Sequence, residues 1–491
     1  MIRKILGIDL GTTNCKAIIL EEDGKILGIS CIEYPLIKRR ENYIEQDPQE
    51  WWKAVKEVIK RVIAATKVNP KEIISLSISS QGISFVPVDK EGTPLYNAIS
   101  WLDKRAIKQT KEILKKFSLK EMFHLTGKRV NPGYILPKLL WLRENEPIIF
   151  KNTHKFLMAE DYLIMKFTGK FITDHSLAAG TLLYDVNKLC WSEEIIDRFC
   201  ISQEKLPEIK WSGTPIGKIS SDAAKETGLN KKTLIVVGGQ DQKCAALGAG
   251  IKHKVATISL GTASAITIIT NKAIIDEEMR IPCFPFLIPG FWVLEGVIST
   301  AGEALKWIQE ILNMKGSYQS LNELAQKSLP GSNGIFFLPY LAGISSPDWQ
   351  PKAKACFWGL NLSTKKNDII RVVMEGIGFE IKRNISVMEE LSGKVEKIRI
   401  FGGGAKSNLW LKIISNITGK EMEVFKTTEI ASLGVCILAG TGAGIYKNYE
   451  NALGKLNPPI KRIKPVPADQ DVYQEKYQVY QKILLKLAEM I

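Results

Sequence analysis

The chain has few of the residues that build metal or disulfide centres. Its four histidines are isolated from one another and no H-E-x-x-H occurs, which excludes a metalloprotease helix and leaves each histidine a structural or surface role. The eight cysteines stand at positions 15, 31, 190, 200, 244, 283, 356 and 436 with no C-x-x-C pair. Neither a zinc site nor a small disulfide scaffold fits that spacing, so reduced thiols in a cytosol are expected. No uninterrupted apolar run of about 20 residues exists, so no transmembrane helix is expected. The longest candidate, Ile430 to Ile445, is broken by Gly434, Gly440, Gly442 and Gly444. The basic start Met1-Ile2-Arg3-Lys4 precedes an apolar run too short for a signal peptide, and a cytoplasmic, membrane-free protein is the expectation. There is no arginine-rich tract and no aromatic-interleaved basic stripe, which argues against nucleic acid as a partner despite a net charge of +15. G-x-x-x-x-G-K-[ST] is missing, and Gly402 to Ser407 does not fit G-x-G-x-x-G, so neither a Walker-type nor a dinucleotide fold is indicated.

At 491 residues the chain is too long for one core and implies two large domains. Two stretches organise it. Gly7-Ile8-Asp9-Leu10-Gly11-Thr12-Thr13-Asn14-Cys15-Lys16 lies between the apolar runs Lys4 to Leu10 and Ala17 to Leu20. Ser259-Leu260-Gly261-Thr262-Ala263 lies between Val255 to Leu260 and Ala265 to Thr270. Both read as hairpins with a Gly-Thr turn at the tip. Glycine there lets backbone N–H groups approach an anion, and the threonine hydroxyls add donors. Asp9 ends its strand at the first tip, where a carboxylate can hold Mg²⁺ directly or through water. Two such tips with one carboxylate point to a duplicated fold gripping a polyphosphate, and the scattered lysines would help gather an anionic nucleotide.

Between the tips, Ile26 to Cys31 extends a meander, and Asp47-Pro48-Gln49-Glu50 reads as an N-cap and capping box. The helix it opens places Trp51, Val55, Val58, Ile59 and Val62 on one face. Ile73 to Ser79 is expected as a buried strand ending at Ser80-Gln81-Gly82-Ile83, and residues 104 to 211 read as mostly helical. Thr233 to Gly238 leads into Gly239-Gln240-Asp241-Gln242 and a small-residue helix. Asp241 reads either as an N-cap or, lying beside the second hairpin, as a general base. Ala301-Gly302-Glu303 opens a helix, Asp368 to Val387 is another, and Asp469 to Ile491 is terminal. Lys397 to Phe401 runs into Gly402-Gly403-Gly404-Ala405-Lys406-Ser407-Asn408, a turn where bare backbone admits a flat ligand or phosphate.

These blocks, with Trp101-Leu102-Asp103 and Pro137-Lys138-Leu139-Leu140-Trp141, resemble in order the FGGY family of carbohydrate kinases. The resemblance covers essentially the whole chain. It implies an α/β fold of two ribonuclease-H-like, actin/hexokinase-type domains, residues 1–245 and 246–491, with the active-site cleft between them. It implies an ATP- and Mg²⁺-dependent transfer of the γ-phosphate to a sugar hydroxyl. Asp241 would then be the base, Asp9 the Mg²⁺ residue, and Gln81, Gly82, Trp101, Asp103 and Gln242 the sugar side with Asp241. Thr12, Thr13, Gly261, Thr262 and Gly302 would serve the phosphates, and Gly403, Gly404, Ala405 and Asn408 the adenosine. A homodimer is a family-level expectation.

Glycerol kinases place Arg-Glu after the glutamine equivalent to Gln81, and xylulokinases usually place Met-His there; this chain has Gly82-Ile83. Xylulokinases usually carry Asn where Gln242 stands. The blocks around Glu45-Gln46-Asp47-Pro48 and Gly133 to Lys138 nevertheless favour a ketopentose such as D-xylulose. Gluconate, glycerol or another polyol is the alternative acceptor. A chaperone- or actin-like ATP switch and an inactive sugar sensor are the readings from other classes; the Asp241 turn and the Trp101/Asp103 cluster argue against the first, and the presence of both Asp9 and Asp241 against the second.

Overall fold

The computed structural model describes residues 2–314, 318–425, 427–456 and 461–488. A first sheet contains β1 (Lys4–Leu10), β2 (Asn14–Glu21), β3 (Ile26–Glu33), β4 (Ile73–Ser80), β5 (Pro215–Lys218) and β6 (Leu234–Gln240), in the order β5-β6-β4-β1-β2-β3. A second contains β7 (Val255–Leu260), β8 (Ser264–Thr270), β9 (Cys283–Pro285), β10 (Trp292–Ile298), β11 (Lys397–Phe401), β12 (Glu421–Val424) and β13 (Lys461–Ile463), in the order β9-β10-β8-β7-β11-β12-β13. The pairings repeat. β1 is antiparallel to β2 and parallel to β4, as β7 is to β8 and β11. β3, β6 and β5 likewise correspond to β10, β12 and β13 in place and direction. Only β9 lacks a counterpart. The two hairpin tips thus occupy the same place in each half of a duplicated α/β fold.

The helices that position the site are α1 (Pro48–Thr66), α2 (Asp241–Gly248), α3 (Gly302–Ile311), α4 (Lys366–Ser392), α5 (Asn408–Thr418), α6 (Ile430–Gly442) and α7 (Pro467–Ala488). Asp47 caps α1, its side chain accepting from the Gln49 N–H at 2.8 Å. Glu50 does not complete the expected capping box. Its carboxylate lies 3.0 Å from Lys53 Nζ one turn on, where an opposite charge is available. The terminal helix ends its described part at Ala488, so the expected last three residues lie outside the described range. No helix among the described residues is long and apolar enough to cross a membrane.

Residues 104–211 depart from the helical expectation. Helices at Ile107–Lys116, Leu119–Thr126, Ile135–Asn145 and Ala159–Thr168 are joined by strands. Lys155–Met158 edges a five-stranded sheet with Phe85–Val88, Ala98–Ile99, Tyr43–Gln46 and Ile37–Arg40. Ile172–Asp174 pairs with Glu208–Lys210, and Tyr184–Asp185 with Cys190–Trp191. These strands have two to four residues, too few for a period-two pattern to stand out against the helices around them.

β1 shows how the halves are joined. Leu6, Ile8 and Leu10 point into a cluster with Trp51, Val55, Val58, Ile59 and Val62 of α1. The alternate residue Ile5 joins Cys244 and Leu247 of α2 and Leu433 and Val435 of α6 on the other side. α6 belongs to the second half of the sequence yet lies on the first sheet. A Cβ at Gly7 would meet Cys436 Sγ at 2.6 Å and Ser432 O at 2.7 Å. α2 and α6 cross at still closer range: a Cβ on Gly434 would stand 1.9 Å from Cys244 O, and one on Gly248 2.1 Å from Ile430 O. The division expected after residue 245 falls inside α2.

Gly434→Ala should therefore force the two backbones apart and cost about 3 kcal/mol or more, since the obstruction is main chain that no rotamer change relieves. Gly454→Ala, at an exposed helical glycine with nothing near its Cβ direction, should be neutral or stabilising by up to ~1 kcal/mol. Urea melts of the two variants check the contrast, and equal midpoints would refute the close-packing account.

Candidate active site

Asp9 lies on the same face of β1 as Ile5 and Gly7, so the close approach of α6 sets its surroundings. Ser79 Oγ on the neighbouring strand donates to Asp9 Oδ1 at 2.8 Å. Burial raises the Asp9 pKa, while the Ser79 bond and Lys16 oppose the rise. Lys16, opposite Asp9 on β2, pairs at 2.8 Å with Glu429 at the start of α6.

Asp241 is the first residue of α2, where free N–H groups and the helix dipole favour negative charge. Gln240 caps the helix, accepting from the N–H groups of Gln242 at 3.1 Å and Lys243 at 3.3 Å. The Gln240 amide also donates to Asp241 Oδ1, and the Gln242 N–H reaches the same oxygen at 2.7 Å. Oδ2 has no protein partner among the described residues. Burial first, and the charge of Asp9 second, push the Asp241 pKa up to about 7. The turn before it is held from behind: the Gly238 N–H donates to Glu160 Oε1 at 2.7 Å and the Gln240 N–H to Ser176 Oγ at 3.0 Å.

The first hairpin tip meets the expected sugar side. Trp101, 42% exposed, donates from Nε1 to Thr12 Oγ1 at 2.9 Å, and Thr13 is exposed beside it. Gln46 donates to Thr12 O at 2.7 Å and accepts from Gln81 Nε2 at 2.9 Å, while Ser84 Oγ donates to Gln81 Oε1 at 3.2 Å. Gln81 is buried and both ends of its amide are taken. It braces the turn instead of presenting itself to a ligand. Asp103 differs more from expectation: it has no exposed surface, and Arg105 Nε and Nη2 and the Ile44 N–H occupy its carboxylate at 2.6–3.0 Å. Arg105 also pairs with Glu45 at 2.9 Å and lies between the rings of Tyr43 and Trp141. Asp103 is therefore a buried counter-ion and not a sugar ligand; its sequence position beside Trp101 gave no sign of Arg105 two residues on. Gln242 keeps a partly exposed side chain without a hydrogen bond among the described residues. Ile83 takes φ 53°, a left-handed conformation costly for a β-branched residue, and Gly180 makes room for it, since a Cβ there would meet Ile83 Cγ2 at 2.5 Å.

The second tip is built against a helix start. Gly302 N–H donates to Gly261 O at 2.8 Å and Ala301 N–H to Thr262 O at 2.9 Å, an approach that needs glycine because a Cβ on Gly302 would meet Gly261 O at 2.7 Å. Leu260, beside that tip, supports the glycine-rich turn. A Cβ on Gly402 would stand 2.8 Å from Leu260 O, and one on Gly404 2.5 Å from Leu260 Cγ. Gly403 alone opens onto free space. Ala405 is partly buried, and Asn408 opens α5 with its Oδ1 taking a bond from Lys461 Nζ at 2.5 Å. Sequence reasoning missed Gln46, Ser79 and Gln240, the residues that fix Thr12, Asp9 and Asp241; the N-cap reading fell on Asp241, whereas Gln240 caps the helix and Asp241 is its first residue.

Family models match both halves: the N-terminal domain of the FGGY family of carbohydrate kinases over residues 4–248 and its C-terminal domain over 256–443. The xylulose kinase of Lactococcus lactis is 32% identical over 490 residues, 99% of this chain and 97% of that protein. The gluconokinase of Bacillus subtilis is 30% identical over 459 residues, 91% and 89% respectively. The structure of a xylulose kinase from Lactobacillus acidophilus superposes with a TM-score of 0.94 at 28% identity, covering 99% of this chain and 98% of that one.

Asp103→Ala should strand a buried guanidinium with only Glu45 to answer it and cost about 3–5 kcal/mol. A melting curve close to that of the native protein would return Asp103 to the list of residues free to serve a ligand.

Proposed function

The chain belongs to the FGGY family of carbohydrate kinases, and from that premise we propose that it transfers the γ-phosphate of ATP to a hydroxyl of a ketopentose such as D-xylulose, with Asp241 as general base. The supporting observation is the Asp241 carboxyl itself. It stands at a helix start, one oxygen fixed by Gln240 and Gln242 and the other unpartnered, with burial and Asp9 raising its pKa to about 7. A base of that strength is half-ionised near neutral pH and strong enough to take a hydroxyl proton as the oxygen attacks phosphorus. The xylulose kinase likeness over nearly the full length supports the ketopentose, and the gluconokinase likeness supports gluconate as the second reading.

Phosphoryl transfer asks the protein for alignment and charge stabilisation more than for covalent chemistry. Thr12, Thr13 and Thr262 offer hydroxyls, and the two tips and the start of α3 offer N–H groups, for the phosphates. Gly403 offers bare backbone to the adenosine. Trp101 presents an exposed ring to the sugar, its indole N–H held by Thr12. Asp241 would receive the proton on Oδ2.

The donor set suits Mg²⁺. No group of three or more His, Cys, Asp or Glu side chains among the described residues could cage a metal. Mg²⁺ characteristically takes one or two carboxylates and completes its shell with water and phosphate oxygens. Asp9, assisted by Ser79, would hold it. When bound, the ion would neutralise phosphate charge. The eight cysteines, all free thiols, fit the reducing cytoplasm in which we locate this reaction.

ADP release measured across D-xylulose, D-ribulose, D-gluconate and glycerol tests the reading, and a response to gluconate alone would overturn the ketopentose. Asp241→Asn should lower kcat by about 10²–10⁴ while sparing ATP binding. Because the base must be ionised, native turnover should fall as pH drops through about 7, with Asp9, Lys243 and Glu295 as the charged groups that set the midpoint. Near-native kcat in the Asn variant would remove Asp241 from the mechanism. Gly403→Val should raise the ATP KM about tenfold, equivalent to ~1.4 kcal/mol, without moving the melting temperature.

A further inference from the structure

A charged cluster lies between the halves, and no step above uses it as a ligand. Lys243, in the first turn of α2, places Nζ 2.8 Å from Glu295 Oε2 on β10 of the second sheet. The same ammonium stands 3.8 Å from the Phe284 ring centroid, and Lys128 Nζ stands 3.8 Å from that centroid as well. Lys128 donates to Ala179 O at 2.5 Å and has no carboxylate partner among the described residues. It lies 5.3 Å from the Tyr134 ring centroid and 4.0 Å from a Cβ built on Gly180, the residue that makes room for Ile83. At one end the charges of Lys243 and Glu295 act on Asp241, and at the other Lys128 stands beside Gly180, against which the Gly82-Ile83 turn packs. Lys128 and Lys243 are 1% and 2% exposed, but Glu295 retains 8%. Its Oε1 is not used by Lys243, and the Tyr134 hydroxyl has no hydrogen-bond partner among the described residues.

A buried ion pair is a poor way to gain stability, because desolvation cancels most of the attraction and an apolar pair of similar size packs as well. A sugar site, by contrast, needs a few placed polar groups to fix its hydroxyls. The turn at Gly82-Ile83 supplies no charged side chain.

Resting on the kinase reading above, we propose that Glu295, held in place by Lys243, is a specificity residue that accepts hydrogen bonds from the hydroxyls of a neutral polyhydroxy acceptor. The class is neutral because Lys243 is already matched by Glu295, and burial disfavours the ammonium form of Lys128. A carboxylate on the acceptor would face both Glu295 and Asp241. Recognition then comes from the second half of the molecule while the base comes from α2.

Steady-state kinetics of full-length Glu295→Gln test this. The KM for D-xylulose should rise tenfold or more, the KM for ATP should stay within twofold, and the preference for D-xylulose over gluconate should fall at least tenfold. An unchanged sugar KM, or sugar and ATP KM values that rise together, would overturn the proposal. The paired variant Lys243→Met with Glu295→Leu guards against a folding defect: it should melt like the native protein and still bind the sugar poorly, and a native sugar KM there would make Glu295 only a strut. A native enzyme silent on every ketopentose refutes the ketopentose reading alone, and the same criteria then apply with the neutral polyol it does phosphorylate. A native enzyme that phosphorylates only aldonates overturns both.

Discussion

The crossing of α2 and α6 sets the geometry on which the site depends. At Gly434 and Gly248 the two helices meet main chain to main chain, closer than any side chain permits, and Gly7 lets α6 settle on β1 in the same way. Asp241 begins α2 and Asp9 lies two residues beyond Gly7, so these glycines fix the relation between the two carboxylates. The constraint is steric and local, yet it joins distant parts of the chain, since α6 comes from the second half and β1 from the first. A short connection leads from α2 to β7 and so from this crossing to the second sheet. The carboxylates therefore keep their relation to each other while the second hairpin tip and the glycine-rich turn are carried by the other sheet.

The buried charges divide by whether the protein satisfies them. Asp103 has both oxygens bonded and a guanidinium against it, and Glu45 and two aromatic rings lie against Arg105, whose Nη1 alone has no hydrogen-bond partner among the described residues. A group so fully answered supports the fold. Asp241 has one oxygen bonded, and burial first and the like charge of Asp9 second raise its pKa where pairing would have lowered it. The protein accepts that cost at Asp241 and at the left-handed Ile83, strain of order 1–3 kcal/mol for a residue so held. Both unfavourable features lie near the same cluster, around Lys128, Lys243 and Glu295, as expected where structure is held against its local preference for the sake of a ligand.

Most of the architecture could be read from the sequence. The two Gly-Thr hairpins, α1 with its apolar face and the strands leading to Asp241 and to Gly402 are set by residues adjacent in the chain, where period and turn chemistry act directly. The short strands between residues 155 and 210 could not be read, because two to four residues do not establish a period. Within the candidate site, the order of the motif blocks singled out Asp9, Thr12, Trp101 and Asp241 as candidates, but most of the partners of these side chains lie across the fold. Arg105 stands only two residues from Asp103, but that spacing did not foretell that its guanidinium would turn back and, with the Ile44 N–H from across the fold, occupy the carboxylate. Nothing in the spacing of Gln46 and Gln81, 35 residues apart, foretold that one would brace the other. The glycines illustrate both cases. Gly402, at φ 96°, is legible as a turn residue, whereas Gly434 is required by a helix that its own sequence neighbourhood does not contain.

The pair Lys243–Glu295 brings these threads together. On energetic grounds alone two apolar side chains would serve the seam as well, so its retention needs a reason outside stability. The residues after Gln81 offer a glycine and a strained isoleucine to the acceptor, and a site that leaves hydroxyls unpaired loses discrimination heavily. A carboxylate arriving from β10 makes good that deficit from the opposite half of the molecule. Acceptor hydroxyls would then bridge the base on α2 and the second sheet, so that binding energy from the part of the sugar remote from the reacting hydroxyl would draw the halves together. Water would be expelled at the moment the acceptor is present and not before, which is the condition for phosphoryl transfer to a sugar to outrun transfer to water.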